Sequence, residues 1–153
     1  MTELSELLPH KAPMILISGY EEPTADDSVT AHVDVSERSP FFEPALGGVP
    51  GCVALEYMAQ TMALLVGLDR RRKGLAPAVG FVLGSRRMEV SAPVFRNGAR
   101  YSVRAACAYR DDGGFGSFDC EMLDAAGASV ARGTLTAFQP DGELTPEKIK
   151  ELS

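Results

Sequence analysis

The sequence has few of the residues from which metal sites and disulfides are built. It contains two histidines and three cysteines among 153 residues, and no tryptophan. None of them has zinc-ligand spacing, and a small, odd number of cysteines is typical of a reducing compartment. The first residues do not form a basic segment followed by an apolar run, so no signal peptide is expected. We therefore expect a cytoplasmic protein without a metal or other cofactor.

Positive charge is also scarce. Lysine and arginine together number 15 against 21 acidic residues, which gives a net charge of −6. An acidic protein repels nucleic-acid phosphates unless its basic residues gather on one face, so no nucleic-acid partner is expected. Hydrophobic residues make up 45% of the chain, which has no repeat and no linker. This composition predicts a single domain over residues 1–153 with a core of its own.

Residues 50–73 have the pattern of one long helix. Pro50 suits a first-turn position, and Gly74 lies where a left-handed C-terminal cap belongs. Between residues 52 and 68 the helix is apolar on nearly every side, which is typical of a buried helix. Because Glu56 interrupts a run that is already short for a bilayer, we do not expect a membrane-spanning segment.

Strand patterns precede and follow this helix. Residues 14–20 form a short apolar run, and residues 28–36 alternate between apolar and polar side chains. Four further strands are predicted at residues 79–90, 99–110, 115–124 and 128–138. A short helix is predicted at residues 145–152. This order predicts an α+β fold in which a curled antiparallel sheet wraps around one long buried helix.

Glu56 is the strongest catalytic candidate in the helix. Its neighbours include Val53, Leu55 and Met58, and burying a charged carboxylate among such residues costs about several kcal/mol unless it is paired. A carboxyl group held in an apolar pocket can keep its proton near neutral pH and act as a general acid. A structural carboxylate that accepts a hydrogen bond from a neighbouring strand has the same pattern, so both interpretations stand at this point.

Four segments of the chain resemble the 3-hydroxyacyl-[acyl-carrier-protein] dehydratases. Residues 8–16, L-P-H-K-A-P-M-I-L, are similar to the opening L-P-H-R-x-P-F-L-L of that family, and residues 39–42, S-P-F-F, to its N-E-P-F-F. Residues 50–60, P-G-C-V-A-L-E-Y-M-A-Q, are similar to P-G-V-x-x-x-E-A-M-A-Q, and residues 87–98 resemble R-F-x-x-P-V-x-P-G-D. The helix is closer still to an aryl-polyene-pathway branch, which reads E-Y-M-A-Q. The resemblance implies a hot-dog homodimer with an acyl tunnel at the dimer interface.

The resemblance also implies a reaction, the dehydration of a 3-hydroxyacyl thioester to a trans-2-enoyl thioester in fatty-acid or polyene-type lipid synthesis. The substrate would be carried by acyl carrier protein or coenzyme A. Glu56 would assist loss of the C3 hydroxyl, and Gln60 would orient the carboxyl group of Glu56. Backbone N–H groups of Gly51 and Cys52 would hold the thioester oxygen. The acyl tunnel would be lined by Phe41, Phe42 and Phe81, and ordinary core positions are the alternative for these three residues. The carrier protein would dock on Arg86, Arg87, Arg96 and Arg100, and ordinary solvated surface charges are the alternative for these four.

One departure from the family concerns the catalytic base. The family has H-F-P-G-x-P before the helix, and its histidine takes the proton from C2. Residues 43–49, E-P-A-L-G-G-V, are a few residues shorter and contain no histidine. His10 is the first candidate to replace it, because its segment borders the tunnel in the family. The family has a histidine there as well, so His10 also fits the role of an anchor for the N-terminal segment.

Other interpretations remain open. His32 lies on the polar face of a strand, where a solvated surface residue is the simpler interpretation. Cys52 lies in the first helical turn and could be a nucleophile with His10 as its base, or a packing residue. A paralogous partner subunit could supply the histidine. A hot-dog acyl thioesterase and a non-catalytic acyl-binding subunit are the alternative functions.

Overall fold

The computed structural model describes residues 3–76 and 80–140. Its helices are α1 (Leu4–Leu7) and α2 (Ala54–Arg72). Its strands are β1 (Gly19–Tyr20), β2 (Ser28–Asp34), β3 (Gly48–Pro50), β4 (Phe81–Val90), β5 (Val94–Arg96), β6 (Arg100–Arg110), β7 (Phe115–Leu123) and β8 (Ser129–Phe138). Six of these strands form one antiparallel sheet in the order β1-β2-β6-β7-β8-β4, and β3 pairs with β5. The chain therefore has the predicted α+β architecture, with α2 packed against β2, β6 and β7.

The core lies between the inner face of the sheet and α2. The alternation predicted for β2 is confirmed, since Val29, Ala31 and Val33 are buried while the residues between them are more exposed. The same alternation continues in β6 and β7, where Val103 and Met122 are fully buried. The helix contributes a further set of buried side chains to this core, among them Tyr57, Met58, Met62, Leu64, Leu65 and Leu68.

The central helix begins later than its sequence pattern predicts. Pro50 ends β3, and Gly51–Val53 form a 3₁₀ turn before the α-helix starts. The Gly51 N–H donates to the carbonyl of Pro93 at 2.9 Å, and a Cβ atom at Gly51 would collide with the carbonyl oxygen of Ala92. Close approach to the strand region before β5 therefore explains why glycine stands at this position.

The predicted C-terminal cap of the helix is confirmed. Gly74 has a φ of 73°, and its N–H donates to the carbonyl of Arg71 at 3.0 Å. The N–H of Leu75 donates to the carbonyl of Arg70 at 2.8 Å. These two bonds form a Schellman motif, which satisfies carbonyls that the last turn would otherwise leave unpaired.

The N-terminal segment differs from its prediction. A strand was expected at residues 14–20, but only Gly19–Tyr20 are paired with β2. The backbone on either side of Ile15 is bonded to a side chain of the helix instead: the Leu16 N–H donates to Gln60 Oε1 at 2.8 Å, and Gln60 Nε2 donates to the Met14 carbonyl at 2.7 Å. The short helix α1 was not predicted, and the helix expected at residues 145–152 lies outside the described residues.

Residues Gly51–Arg72 form a segment that is long and apolar enough to span a bilayer by length and composition alone, with a mean hydropathy of 1.4. In the folded chain, 67% of its most apolar window is buried. A core helix wrapped by a sheet has these properties, because the sheet takes the place that lipid would otherwise occupy.

Candidate active site

Glu56 is anchored by a fully buried glutamine one turn further along α2. Gln60 Nε2 donates to Glu56 Oε1 at 3.2 Å, and the same amide is bonded to Met14 and Leu16 of the N-terminal segment. Both the oxygen and the nitrogen of the amide are hydrogen-bonded to this backbone, so the amide presents Nε2 to the carboxylate in one orientation. The predicted orienting role of Gln60 therefore has a geometric basis, although sequence alone did not indicate its bonds to the N-terminal segment.

His10 lies beside Glu56. Its Nε2 atom is 3.7 Å from Glu56 Oε1, and the two side chains are 29% and 42% exposed. Its Nδ1 atom is buried, and nothing in the described ranges 3–76 and 80–140 is hydrogen-bonded to it. A gap of 3.7 Å between the two groups leaves no room for an acyl chain between them. The two groups face the substrate space from the same side.

Glu56 is less buried in this chain than its sequence neighbours predicted. The sheet covers the opposite faces of α2, while Cys52 and Leu55 are exposed beside Glu56. Ala59 and Ala63, further along the same face, are only half-buried. This strip of helix is apolar around a single carboxylate, so an apolar ligand or a second chain is needed to cover it.

A cavity of about 150 Å³ runs along this strip. Glu56, Ala59, Ala63 and Val66 line it on the helix side, and His10 with Pro9 borders it near Glu56. The sheet contributes a wall that comprises Val82, Gly116, Phe118, Ala137 and Phe138, and Arg110 also lines the cavity. The walls are largely apolar, and the carboxyl and imidazole groups lie together. This arrangement suits an apolar chain that carries one reactive polar group.

The proposed oxyanion donors are only partly available. The Gly51 N–H is already bonded to the carbonyl of Pro93, so it is not free to hold a thioester oxygen. Cys52 follows in the 3₁₀ turn with an exposed side chain, and its N–H is the remaining donor of the predicted pair. The positive end of the helix dipole lies here as well and favours an oxygen that gains negative charge.

Two of the three aromatic residues predicted for the tunnel, Phe41 and Phe42, do not line the cavity. Phe41 is 52% exposed and has a left-handed backbone with a φ of 66°. Phe42 packs against the core instead of lining the cavity. The side chain of Phe81 lies outside the described residues. Phe118 and Phe138 line the cavity; strand alternation could have placed Phe118 on the inner face, but not at a cavity.

The four arginines predicted for carrier docking do not form one cluster. Arg100 makes two hydrogen bonds to the carboxylate of Asp34, at 2.6 and 2.9 Å. These bonds, with the positive charge of Arg100, hold the pKa of Asp34 below its usual value although burial opposes them. Arg86 and Arg87 are exposed on β4, three strands away from β6. Arg96 is exposed at the end of β5.

His32 and two of the three cysteines, Cys107 and Cys120, do not line the cavity. His32 Nε2 is 3.7 Å from Asp34 Oδ2 on the sheet, and His32 does not line the cavity. Burial raises the pKa of the Cys120 thiol to about 12 and also raises the pKa of Cys107. A raised pKa disfavours the thiolate, which is the nucleophilic form, at both cysteines.

Comparison with known proteins matches the chain to one family and to several curated relatives. A family described as ApeP-like, ApeP dehydratase, matches residues 2–150. The chain is 35% identical over 74 residues to the 3-hydroxyacyl-[acyl-carrier-protein] dehydratase FabZ of Polynucleobacter necessarius, a match that covers 46% of this chain and 50% of that protein. The corresponding enzyme of Oceanobacillus iheyensis is 34% identical over 85 residues, with 54% and 59% covered. The chain thus spans about half the length of the curated relatives it matches.

Solved structures give the same fold. The dehydratase heterocomplex ApeI:P from Xenorhabdus doucetiae contains a chain that superimposes with a TM-score of 0.86 at 29% identity, covering 99% of this chain and 97% of that one. A hypothetical thioesterase from Streptococcus pneumoniae, solved with coenzyme A, superimposes with a TM-score of 0.61 at 17% identity, covering 85% and 91%. The second likeness establishes the hot-dog fold alone.

Proposed function

Because the chain belongs to the ApeP-like dehydratase family, as the match over residues 2–150 shows, we propose that it dehydrates a 3-hydroxyacyl thioester to a trans-2-enoyl thioester. It would do so as a single hot-dog domain in the cytoplasm, within fatty-acid or polyene-type lipid synthesis. The observation that carries this proposal is the pair formed by Glu56 and His10 at the edge of an apolar cavity, with 3.7 Å between carboxylate and imidazole.

The two groups divide the reaction between them. Neutral His10 takes the proton from C2 through Nε2, and the electron pair of that C–H bond forms the C2–C3 double bond. The protonated carboxyl of Glu56 donates its proton to the C3 hydroxyl, which leaves as water. The proton and the hydroxyl sit on adjacent carbons, and acid and base lie on one side of the substrate. Both therefore leave from the same face.

The same proximity stabilises the end of the reaction. After water departs, His10 is a cation and Glu56 is an anion, and the two charges lie side by side. Opposite charges about 4 Å apart attract each other, and the attraction strengthens as a bound acyl chain displaces water from the partly exposed pair. A proton returned from His10 to Glu56 then restores both groups, so that the cycle needs no outside acid or base.

The helix direction sets how the substrate lies. The thioester carbonyl would be held at the start of α2, where the Cys52 N–H and the helix dipole favour the charge that develops as C2 loses its proton. The hydroxyl carbon would then lie at Glu56, and the acyl tail would follow Ala59 and Ala63 along the cavity. The carrier, protein or coenzyme A, would remain outside, with Arg86, Arg87 and Arg96 as exposed cations for docking.

A second hot-dog chain would complete the site. The helix face around Glu56 is open, and within the described residues β4 is paired only with β8 at the edge of its sheet. Val82 and Leu83 on β4 are 44% and 46% exposed. A homodimer would cover both features, and so would a paralogous subunit. The ApeI:P dehydratase heterocomplex from Xenorhabdus doucetiae supports the second arrangement.

The product of the reaction tests this function against its alternatives. The full-length protein is incubated with 3-hydroxyacyl carrier protein, and the intact carrier is weighed by mass spectrometry. We expect a species that has lost one water with its thioester intact, and hydration of the trans-2-enoyl form in reverse. A free carrier thiol together with the hydroxy acid would instead demonstrate a thioesterase. Binding of the acyl carrier without turnover would demonstrate a non-catalytic subunit.

A further inference from the structure

The cavity has a charged group at the end away from Glu56. Arg110 lines it there, and Arg110 Nη1 lies 3.4 Å from Asp69 Oδ2 on the last turns of α2. Between Glu56 and Val66 the cavity follows ten residues of helix, which is about 15 Å at the helical rise of roughly 1.5 Å per residue. An apolar chain that enters at Glu56 therefore meets the guanidinium of Arg110 after this distance.

A β-bulge places Arg110 in this position. Along β6, Val103 and Ala105 point inward, so regular alternation would direct residue 110 outward. The pairing with β7 shifts between Cys107 and Tyr109, and Arg110 then lies opposite the buried Gly116. The extra residue turns the Arg110 side chain onto the inner face. Bulges near functional sites commonly redirect a side chain in this way.

The strand opposite Arg110 leaves room for its side chain. A Cβ atom at Gly116 would lie 2.8 Å from the ring of Phe118 and 3.4 Å from Arg110 Cγ. Because residue 116 is glycine, the aliphatic part of the Arg110 side chain can pass over β7 beside the cavity. A larger residue would push the arginine away from Asp69.

The guanidinium is held in place from the helix. Asp69 contacts Arg72 and Lys73 as well as Arg110, at 3.6 and 3.1 Å. Burial raises the pKa of the Asp69 carboxyl, but hydrogen bonds and charge from Lys73 and Arg110 outweigh it and hold the pKa below its usual value of 3.8. Asp69 is thus ionised at neutral pH, and the pair with Arg110 persists.

We infer that Arg110, fixed by Asp69, limits the length of the acyl chain that this protein accepts. An apolar chain end cannot replace the water and carboxylate around a guanidinium without a penalty. With a C–C bond of about 1.5 Å, an extended chain advances roughly 1.3 Å per carbon, so the distance along the helix from Glu56 to Arg110 corresponds in length to about a dozen carbons. The inference rests on the proposed function, because it assigns the cavity to the acyl chain.

Binding of unreactive substrate analogues tests this limit without requiring turnover. Acyl pantetheine amides from butanoyl to hexadecanoyl are titrated into the full-length protein by calorimetry. For the wild type, affinity should rise about tenfold per two carbons, as burial of methylenes predicts, and then stop rising near a dozen carbons. Arg110→Ala should move that limit to longer chains by at least two carbons. Arg110→Lys, which keeps a cation, should leave the limit nearly in place.

Arg104→Ala is the matched control, because Arg104 is exposed on the outer face of the same strand; its profile should be that of the wild type. A wild-type affinity that keeps rising through hexadecanoyl would overturn the inference. An Arg110→Ala profile that superimposes on the wild type would do so as well, and so would absence of binding at every length. Dehydration of a short substrate is measured separately, so that failure of the proposed function can be told apart from failure of the chain-length limit.

Discussion

Gln60 connects the catalytic carboxylate to the rest of the molecule. It is fully buried, and its amide group bonds the backbone of the N-terminal segment on both sides of Ile15 while it also donates to Glu56. A side chain with three partners and no contact with solvent has one permitted orientation. Glu56 therefore has a fixed position even though 42% of its side chain is exposed.

Replacing this amide should affect both stability and rate. Gln60→Leu leaves the buried Leu16 N–H and the part-buried Met14 carbonyl without their partner, which should cost about 2 kcal/mol of unfolding free energy. Because Glu56 loses its anchor, kcat should fall roughly tenfold while KM changes little, since Gln60 does not line the cavity. Urea unfolding and steady-state kinetics measure the two effects.

Thr61→Val is the control for this prediction. Thr61 is equally buried, but its hydroxyl donates to the carbonyl of Tyr57 within the same helix. This variant should lose stability without a change in kcat. If it slows the reaction as much as Gln60→Leu does, general loosening of the helix explains the rate, and Gln60 has no positioning role.

The sequence predicted which residues form the site but not how these residues are arranged. Glu56, Gln60 and His10 were identified from helix periodicity and family motifs, and the structure brings all three together. Their arrangement could not be predicted, because it depends on how residues 8–16 fold back onto the helix, and that contact joins segments more than forty residues apart. The cavity-lining role of Arg110 was missed because regular alternation along β6 directs residue 110 outward, and the bulge that reverses this was not predicted.

The N-terminal segment is positioned by one glycine of the helix. Gly67 lets the backbone of Leu7 approach α2 so closely that a Cβ atom there would collide with the Leu7 carbonyl oxygen. Leu7 and Leu8 are buried at this contact. The segment continues directly into Pro9 and His10, both of which border the cavity. The distance between His10 and Glu56 therefore depends on a contact three turns away along the helix.

The sign of the change in unfolding free energy caused by Gly67→Ala should reveal this dependence. In an unobstructed helix, alanine stabilises by about 1 kcal/mol relative to glycine. Here the added methyl must displace Leu7, which should cost about 1–3 kcal/mol and lower the dehydration rate by moving His10. Thermal unfolding and kinetics measure both. A variant that is more stable than the wild type and equally active would show that this contact does not position His10.

The strands were easier to predict than the turns between elements. The long strands β4 and β6 to β8 were placed to within about two residues because alternation and Gly-containing turns mark them. The strands β3 and β5 have three residues each, which is too short for an alternation of apolar and polar side chains to be recognised. The start of α2 was misplaced because Pro50 suits the first turn of a helix and the end of a short strand equally well.

The molecule exposes surfaces that a second chain would cover. Around Glu56 the apolar face of α2 is open, and exposed apolar side chains lie on β4 at the edge of the sheet. We expect at least a dimer at micromolar concentration in light scattering, with the helices close together inside one continuous sheet. A monomer would contradict this arrangement.

Two exposed positions make the interface testable. Leu55→Lys places a charge on the open helix face, where Leu55 is 39% exposed in the single chain, and should shift the assembly towards monomers. Tyr109→Lys is the control, because Tyr109 is 57% exposed on the outer face of β6. Equal dissociation by both variants would place the interface elsewhere.

The proposed dehydration requires His10 and Glu56 to act together, and single-turnover dehydration of a 3-hydroxyacyl carrier protein measures whether they do. The full-length protein in its native assembly is compared with His10→Asn, Glu56→Gln and the double variant, with His32→Asn as the control histidine. Each single change should slow the reaction by about 10²- to 10⁴-fold. The double variant should be little slower than either, since the pair works as a unit, and His32→Asn should match the wild type. A His10→Asn protein that keeps the wild-type rate, while Glu56→Gln loses it, would show that His10 is not the base and would place the base in the partner subunit.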